Sequence, residues 1–165
     1  MTKPTPAPDP DAFDLKAAMG DLPCTHSALR RAARRLSNLY DDAIAPSGLK
    51  STQLSLLAHI EAMTDPALQD LAQAMALGVS SLTYALRPLV RDGLVALTPN
   101  PQDKRTKHAA VTALGREKIA QGAALWSAAN RRTDRVLGAD AALVLRTLAD
   151  QVSSKAFLTA YEAQD

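Results

Sequence analysis

The run Val79-Ser80-Ser81-Leu82-Thr83-Tyr84-Ala85-Leu86-Arg87-Pro88-Leu89-Val90-Arg91-Asp92-Gly93, continued by Leu94-Val95-Ala96-Leu97-Thr98, holds two different periods. In the first part Val79, Leu82, Leu86, Leu89 and Val90 recur at steps that place them on one helix face. Ser80, Tyr84, Arg87 and Arg91 recur at the same spacing on the other side, with Ser81 and Thr83 nearby. Gly93 ends the helix, and the period then falls to that of a strand. Pro88 is a local conflict, since an interior proline removes a backbone hydrogen bond, so a bend is expected there. Such a helix can rest its apolar face on neighbours and offer short hydrogen-bonding and cationic groups outward. Those are the groups that entry into a DNA major groove requires.

Downstream, residues 99–107 form a polar loop too long for a tight turn, and His108-Ala109-Ala110-Val111 reads as a returning strand. The hairpin tip carries Lys104, Arg105 and Lys107, cations suited to backbone phosphates or a narrow minor groove. Thr112 is placed to cap a long helix through about Leu137, with Leu114, Ile119, Ala123, Trp126 and Val136 among its apolar positions. Gly138-Ala139-Asp140 separates it from a last helix bearing Val144, Leu145, Leu148, Val152 and Ala156.

Upstream, Gly78 closes a helix with the stripe Leu68, Leu71, Ala72 and Met75, capped by Asp65 with Pro66 in its first turn. Before it, Ser51 caps a helix through Ala62 whose Leu54, Leu57 and Ala58 share a face. Pro46-Ser47-Gly48 stops a longer helix that follows Pro23. Its stripe is Leu29, Ala33, Leu36, Tyr40 and Ala43, and Arg30, Arg31, Arg34 and Arg35 occupy much of the rest. Pro4, Pro6, Pro8 and Pro10 make residues 1–22 an extended or disordered tail.

Composition narrows the classes. At 165 residues, 47% hydrophobic and 22% charged, the chain can bury a core and is not disordered throughout. No apolar run approaches the roughly 20 residues of a membrane span, so no membrane partner is expected. The polar start lacks the pattern of a secretory signal. The single cysteine, Cys24, excludes an intramolecular disulfide framework and any multi-cysteine metal site, which suits the cytoplasm. Net charge is only +2, but residues 87–107 hold Arg87, Arg91, Lys104, Arg105 and Lys107 against Asp92 and Asp103. That basic segment suits a polyanion, although a solvated surface face has the same composition.

The order of elements predicts a mostly α fold: a winged helix-turn-helix with long flanking dimerisation helices and a two-stranded β wing. The expected boundaries are a tail over 1–22, a dimerisation helix over 23–48, the winged unit over 49–113 and C-terminal dimerisation helices over 114–165. The flanking helices have no sheet of their own to cover, so their apolar stripes ask for a second copy of the chain.

These stretches also resemble the multiple-antibiotic-resistance regulator (MarR) family. The resemblance is carried by Gly48-Leu49-Lys50-Ser51-Thr52-Gln53, Leu71-Ala72-Gln73-Ala74-Met75, Ser81-Leu82-Thr83, Leu89-Val90-Arg91-Asp92-Gly93-Leu94-Val95, Asp103-Lys104-Arg105 and Val111-Thr112-Ala113-Leu114-Gly115. It implies a homodimer on a pseudo-palindromic operator in double-stranded DNA. It implies Ser81, Thr83 and Arg87 in the major groove and Arg105 in the minor groove, with Asp103 holding that arginine by an ion pair. Tyr84 stands where many members have arginine, and Val111 where leucine is usual.

The resemblance further implies a repressor released by a small-molecule effector, an aromatic acid, phenol or acyl-coenzyme A thioester, that changes the half-site spacing. Cys24, His26 and Trp126 are the candidate sensing residues. Cys24, at a helix start that lowers a thiol's pKa, opens the alternative of a thiol-based redox regulator. Each also has a plain reading: Cys24 as an inert small residue, His26 as a surface histidine, Trp126 as core or dimer packing. His59 and His108 read as structural. No catalytic set is expected, because Cys24 and His26 lack an orienting third group and an oxyanion turn, and no metal site, because the three histidines and Cys24 are scattered; no cofactor is expected either. A winged-helix adaptor that binds protein is the remaining class, and it would tolerate neutral residues at Arg87 and Arg105.

Overall fold

The computed structural model describes residues 24–99 and 106–164. Its elements are α1 (Thr25–Ile44), a 3-10 turn (Ala45–Ser47), α2 (Ser51–Met63), α3 (Leu68–Ala74), α4 (Val79–Arg91), β1 (Val95–Pro99), β2 (Lys107–Val111), α5 (Ala113–Leu137), α6 (Ala139–Ser153) and α7 (Lys155–Glu162). The chain divides into two units, residues 1–35 and 36–165. Of the first, residues 25–35 are helical and every side chain is exposed. The expected N-terminal tail lies outside the described residues, as do Asp103, Lys104 and Arg105.

The second unit is organised around one apolar cluster. Leu57, Ile60, Leu71, Leu82, Leu86 and Leu89 are almost completely removed from solvent, and Val95, Ala109 and Val111 bring the hairpin into the same cluster. Burying each such leucine stabilises the fold by about 1.5–3 kcal/mol. The expected apolar face of α4 is thus its packing face, although Val79 and Val90 at its edges remain partly exposed. In α2 the buried residues are Leu54, Leu56, Leu57 and Ile60, whereas Ala58 is exposed. This helix is enclosed on more than one side, so no single stripe describes it: Leu54 lies against Gly122 of α5, a site where an added methyl would touch its δ-carbons.

β1 and β2 pair antiparallel, with Val95 opposite Val111 and Thr98 opposite His108. A third segment joins them. Ala67 bridges to His108, and the Pro66 carbonyl accepts from the Ala109 N–H at 3.0 Å. This extended pairing corrects the expected start of α3. Asp65 and Pro66 serve the sheet rather than capping the helix, whose N-cap is Ala67. Asp65 sits at φ 58°, and its carbonyl oxygen lies 2.9 Å from His108 Nδ1.

Two other caps differ. Lys50, not Ser51, is the N-cap of α2: the Lys50 N–H donates to Gln53 Oε1 at 2.8 Å and the Ser51 N–H to Asp41 Oδ1 at 2.6 Å. The expected last helix is two, because Ser154 adopts an extended backbone and its hydroxyl accepts from the Phe157 N–H to start α7. Thr112 behaves as expected. Its hydroxyl accepts from the Gly115 N–H at 3.0 Å and donates to the Gly93 carbonyl at 2.7 Å, joining the end of α4 to the start of α5. α4 continues as helix through Pro88 to Arg91.

Candidate nucleic-acid interface

The outward side of α4 follows from the burial of its inward side. With Leu82, Leu86 and Leu89 fixed in the core, helical spacing sends Ser80, Tyr84, Arg87 and Arg91 to solvent, and all four are exposed. Ser81 and Thr83 are exposed beside them, with the Thr83 hydroxyl donating to the Val79 carbonyl at 2.8 Å. Tyr84 is 72% exposed, and the Arg87 guanidinium lies over its ring, 5.6 Å from the centroid. A cation in that place is attracted by the ring's quadrupole, so each side chain restrains the other. Arg91 donates to both carboxylate oxygens of Asp92, at 2.8 and 3.2 Å. That pair raises the arginine's pKa and lowers the aspartate's, chiefly through the hydrogen bond. Arg87 has no carboxylate partner among the described residues.

The hairpin stands next to this helix because Gly93, at φ 70°, turns the chain from α4 into β1. Lys107 is exposed at the start of β2.

Beside α4 lies a cleft of about 1200 Å³, open to solvent. Its walls include Tyr40 of α1, Ser55 of α2, Tyr84 and Arg87 of α4, and Trp126 of α5. Tyr40 and Trp126 meet edge to face at 6.4 Å, and the Tyr40 hydroxyl donates to Asn130 Oδ1 at 3.0 Å. The structure therefore places Trp126 on a cleft wall, 44% exposed, rather than in the core. Tyr40 and Asn130 were not singled out in the sequence. The one available signal was a hydroxyl within an apolar stripe, which needs a partner when it packs.

Cys24 and His26 belong to the first unit and are exposed. Hydrogen bonds from Ser27, first its backbone N–H and then its hydroxyl, hold the Cys24 thiol below its ordinary pKa, with a smaller contribution from Arg31. Among the described residues no group of three or more His, Cys, Asp or Glu could hold a metal ion, and no helix is long and apolar enough to cross a membrane.

A family model for the MarR family matches residues 49–107, the span from the start of α2 to the start of β2. Comparison with curated proteins finds no match. Among solved structures, the M. tuberculosis transcriptional regulator MOSR in complex with DNA is 33% identical at a TM-score of 0.72, over 86% of this chain and 98% of that one. A mutant of E. coli MarR complexed with operator DNA gives a TM-score of 0.72 at 23% identity, covering 84% of this chain and 98% of that one. BpsR of Bordetella bronchiseptica, whose DNA binding is regulated by 6-hydroxynicotinic acid, gives 0.71 at 21% identity, over 79% and 94%. An amphipathic helix with an exposed polar row, the paired strands behind it and a one-third identity across nearly a whole solved relative converge on one assignment: the chain belongs to the MarR family.

Proposed function

We propose that this protein is a homodimeric, DNA-binding transcriptional repressor of the cytoplasm, released from its operator by a small aromatic acid, phenol or acyl-coenzyme A thioester. The observation that carries the reading is the exposed row Ser80, Tyr84, Arg87 and Arg91 on a helix whose other side is locked into the core. In the proposed complex that row, with Ser81 and Thr83, enters the major groove. Lys104, Arg105 and Lys107 reach the backbone or minor groove, Asp103 orients Arg105, and phosphate contacts fix the register.

The unit 49–113 is the reading head, and the helices on either side build the dimer. Support for the second copy comes from α6 and α7, where Leu143, Val144, Leu148, Leu158 and Tyr161 are each more than half exposed while Ala142 is the one buried side chain. Apolar surface of that extent is covered in the working protein, and a two-fold dimer is its commonest cover. The cleft beside Tyr40 and Trp126 is the proposed effector site.

The test is binding of purified protein to the duplex upstream of its own gene, titrated against salt beside a scrambled duplex. Tight, salt-sensitive binding of two subunits to the first duplex alone is the expected result. Equal and weak binding to both, repeated with duplexes selected from a random pool, would sink the reading.

A second reading rests on Cys24, whose thiol is exposed and held below its ordinary pKa. In it the release signal is a peroxide, and the cysteine of the partner subunit or a small thiol supplies the second sulfur. Peroxide should then release the duplex from wild type but not from Cys24→Ser; release from both, or from neither, rejects it.

A further inference from the structure

We propose that His108 is a positioning residue for the hairpin. Its ring, bonded to the backbone of a strained corner between α2 and α3, fixes the angle of the hairpin beside α4 and with it the reach of Lys107 toward a duplex. The inference rests on the reading of the chain as a DNA-binding regulator and adds a residue that acts through the hairpin. Thr64 and Asp65, at φ 53° and 58°, both lie in the left-handed region, which is uncommon outside glycine and least favourable for a β-branched residue. Such a backbone persists only where its surroundings hold it. The Thr64 N–H reaches the Glu61 carbonyl at a long 3.4 Å, whereas the Asp65 carbonyl is met at 2.9 Å by His108 Nδ1. A carbonyl only accepts, so Nδ1 carries the hydrogen and donates it. The Asp65 carboxylate lies further off, 3.9 Å from the same nitrogen.

The hairpin is attached in two places. At its base the Leu94 N–H donates to the Leu89 carbonyl at 2.8 Å, and the Thr112 N–H to the Leu94 carbonyl at 3.0 Å. These bonds, with the Thr112 hydroxyl on the Gly93 carbonyl, join the hairpin to α4 at one end and leave it room to swing. The second attachment lies further out, since His108 stands about 10 Å along β2 from Val111 at the rise of a strand. There the Ala109 N–H meets the Pro66 carbonyl at 3.0 Å, Ala67 bridges to His108, and the His108 ring continues the contact to Asp65. Two attachments at different distances from α4 set an angle where one would not. Of the outer bonds, the one from the His108 ring is made by a side chain, so a substitution can remove it and leave the strand pairing in place. Successive strand residues face opposite sides. The partly buried ring is turned to the corner, and Lys107 beside it is exposed.

The test compares His108→Asn with His108→Gln in the full chain. The asparagine amide places an N–H where Nδ1 stands, and the longer glutamine carries its own past that point. His108→Gln should weaken binding to a duplex selected from a random pool by about three- to tenfold, the scale of one net hydrogen bond, and reduce the salt slope by about one as Lys107 leaves its phosphate. His108→Asn should bind within about twofold of wild type. Asp65→Asn, which keeps the carbonyl and tolerates the left-handed backbone, should also bind as wild type does. Amide exchange, measured without DNA, reads the attachment itself. In His108→Gln the Ala109 N–H should exchange about threefold faster or more, and the Thr112 N–H at the base at its wild-type rate. Equal acceleration at both amides would make His108 a general stabiliser and overturn the proposal. So would an asparagine variant as weak as the glutamine one, a glutamine variant with full affinity, or an Asp65→Asn loss that assigns the bond to the carboxylate. A wild-type protein that selects no duplex would bring down the regulator reading, and the exchange rates would then judge the attachment alone.

Discussion

A β-carbon placed on Gly115 meets the backbone carbonyl of Leu94 and, at 2.6 Å, Cγ1 of Val111. Neither neighbour is a flexible side-chain end, so Gly115→Ala forces α5 away from the hairpin. It should cost about 1–3 kcal/mol, read as a lower urea midpoint at matched protein concentration. Gly122→Ala presses only on the δ-methyls of Leu54, at 3.0 Å, and should cost less. An unchanged midpoint for Gly115→Ala would mean that the start of α5 slides freely on the hairpin.

Asp41 supports the start of α2 from ten residues away. Burial raises its pKa, but the Ser51 N–H and hydroxyl and then Lys50 outweigh that effect, and the net shift is downward. A carboxylate whose folded pKa lies below its unfolded value of about 3.9 contributes fully above that value and loses its contribution as the pH falls through it toward the folded pKa. Asp41→Ala should therefore cost about 1 kcal/mol at pH 7, as loss of a helix cap does, and distinctly less at pH 3. An equal cost at both values would assign the loss to packing. At this scale the sequence showed that a glycine stands at 115, but not why. It could not show Asp41 at all, since nothing local ties that carboxylate to Ser51.

At the scale of the element, α4 was the most legible part of the chain. Its two faces differ in chemistry, and the face with leucine at helical spacing is the one the core takes. Arg87→Ala should weaken duplex binding by about 1–3 kcal/mol and flatten the preference over a scrambled duplex, the behaviour of a base contact. Tyr84→Ala should reproduce part of that loss and Tyr84→Phe little of it, since the ring supports the guanidinium. A uniform loss on both duplexes, with the salt slope reduced by about one, would make Arg87 a phosphate contact instead. The ends of elements were less legible. Asp65-Pro66 has the composition of a helix start, yet its backbone is taken by β2, a partner distant in sequence. Ser154 divides the last helix although no glycine or proline marks the place, because its hydroxyl supplies the cap that begins the next one.

For the whole molecule, the order of helices and strands could be read because each is a local pattern. The cleft could not, since α1, α2, α4 and α5 each give it one wall. The apolar surface of α6 and α7 sets a further expectation: Leu148→Glu with Leu158→Glu should shift sedimentation from dimer to monomer and lower the affinity for a full-site duplex. A wild-type chain that sediments as a monomer at micromolar concentration would contradict the proposed assembly. The junction at Thr112 and Gly115 has a mechanical consequence. Lys118 Nζ also donates to the Ser47 carbonyl, at 2.9 Å, so the first turns of α5 are fastened both to the hairpin and to the 3-10 turn that precedes α2. The 25 residues of α5 then extend roughly 37 Å from that fastening. They act as a lever arm: a tilt of about 5° at the hairpin moves the far end by about 3 Å. Any partner seated on α6 and α7 is thus geared to the angle of the hairpin, and rotations too small to disturb the core are magnified where the arm ends.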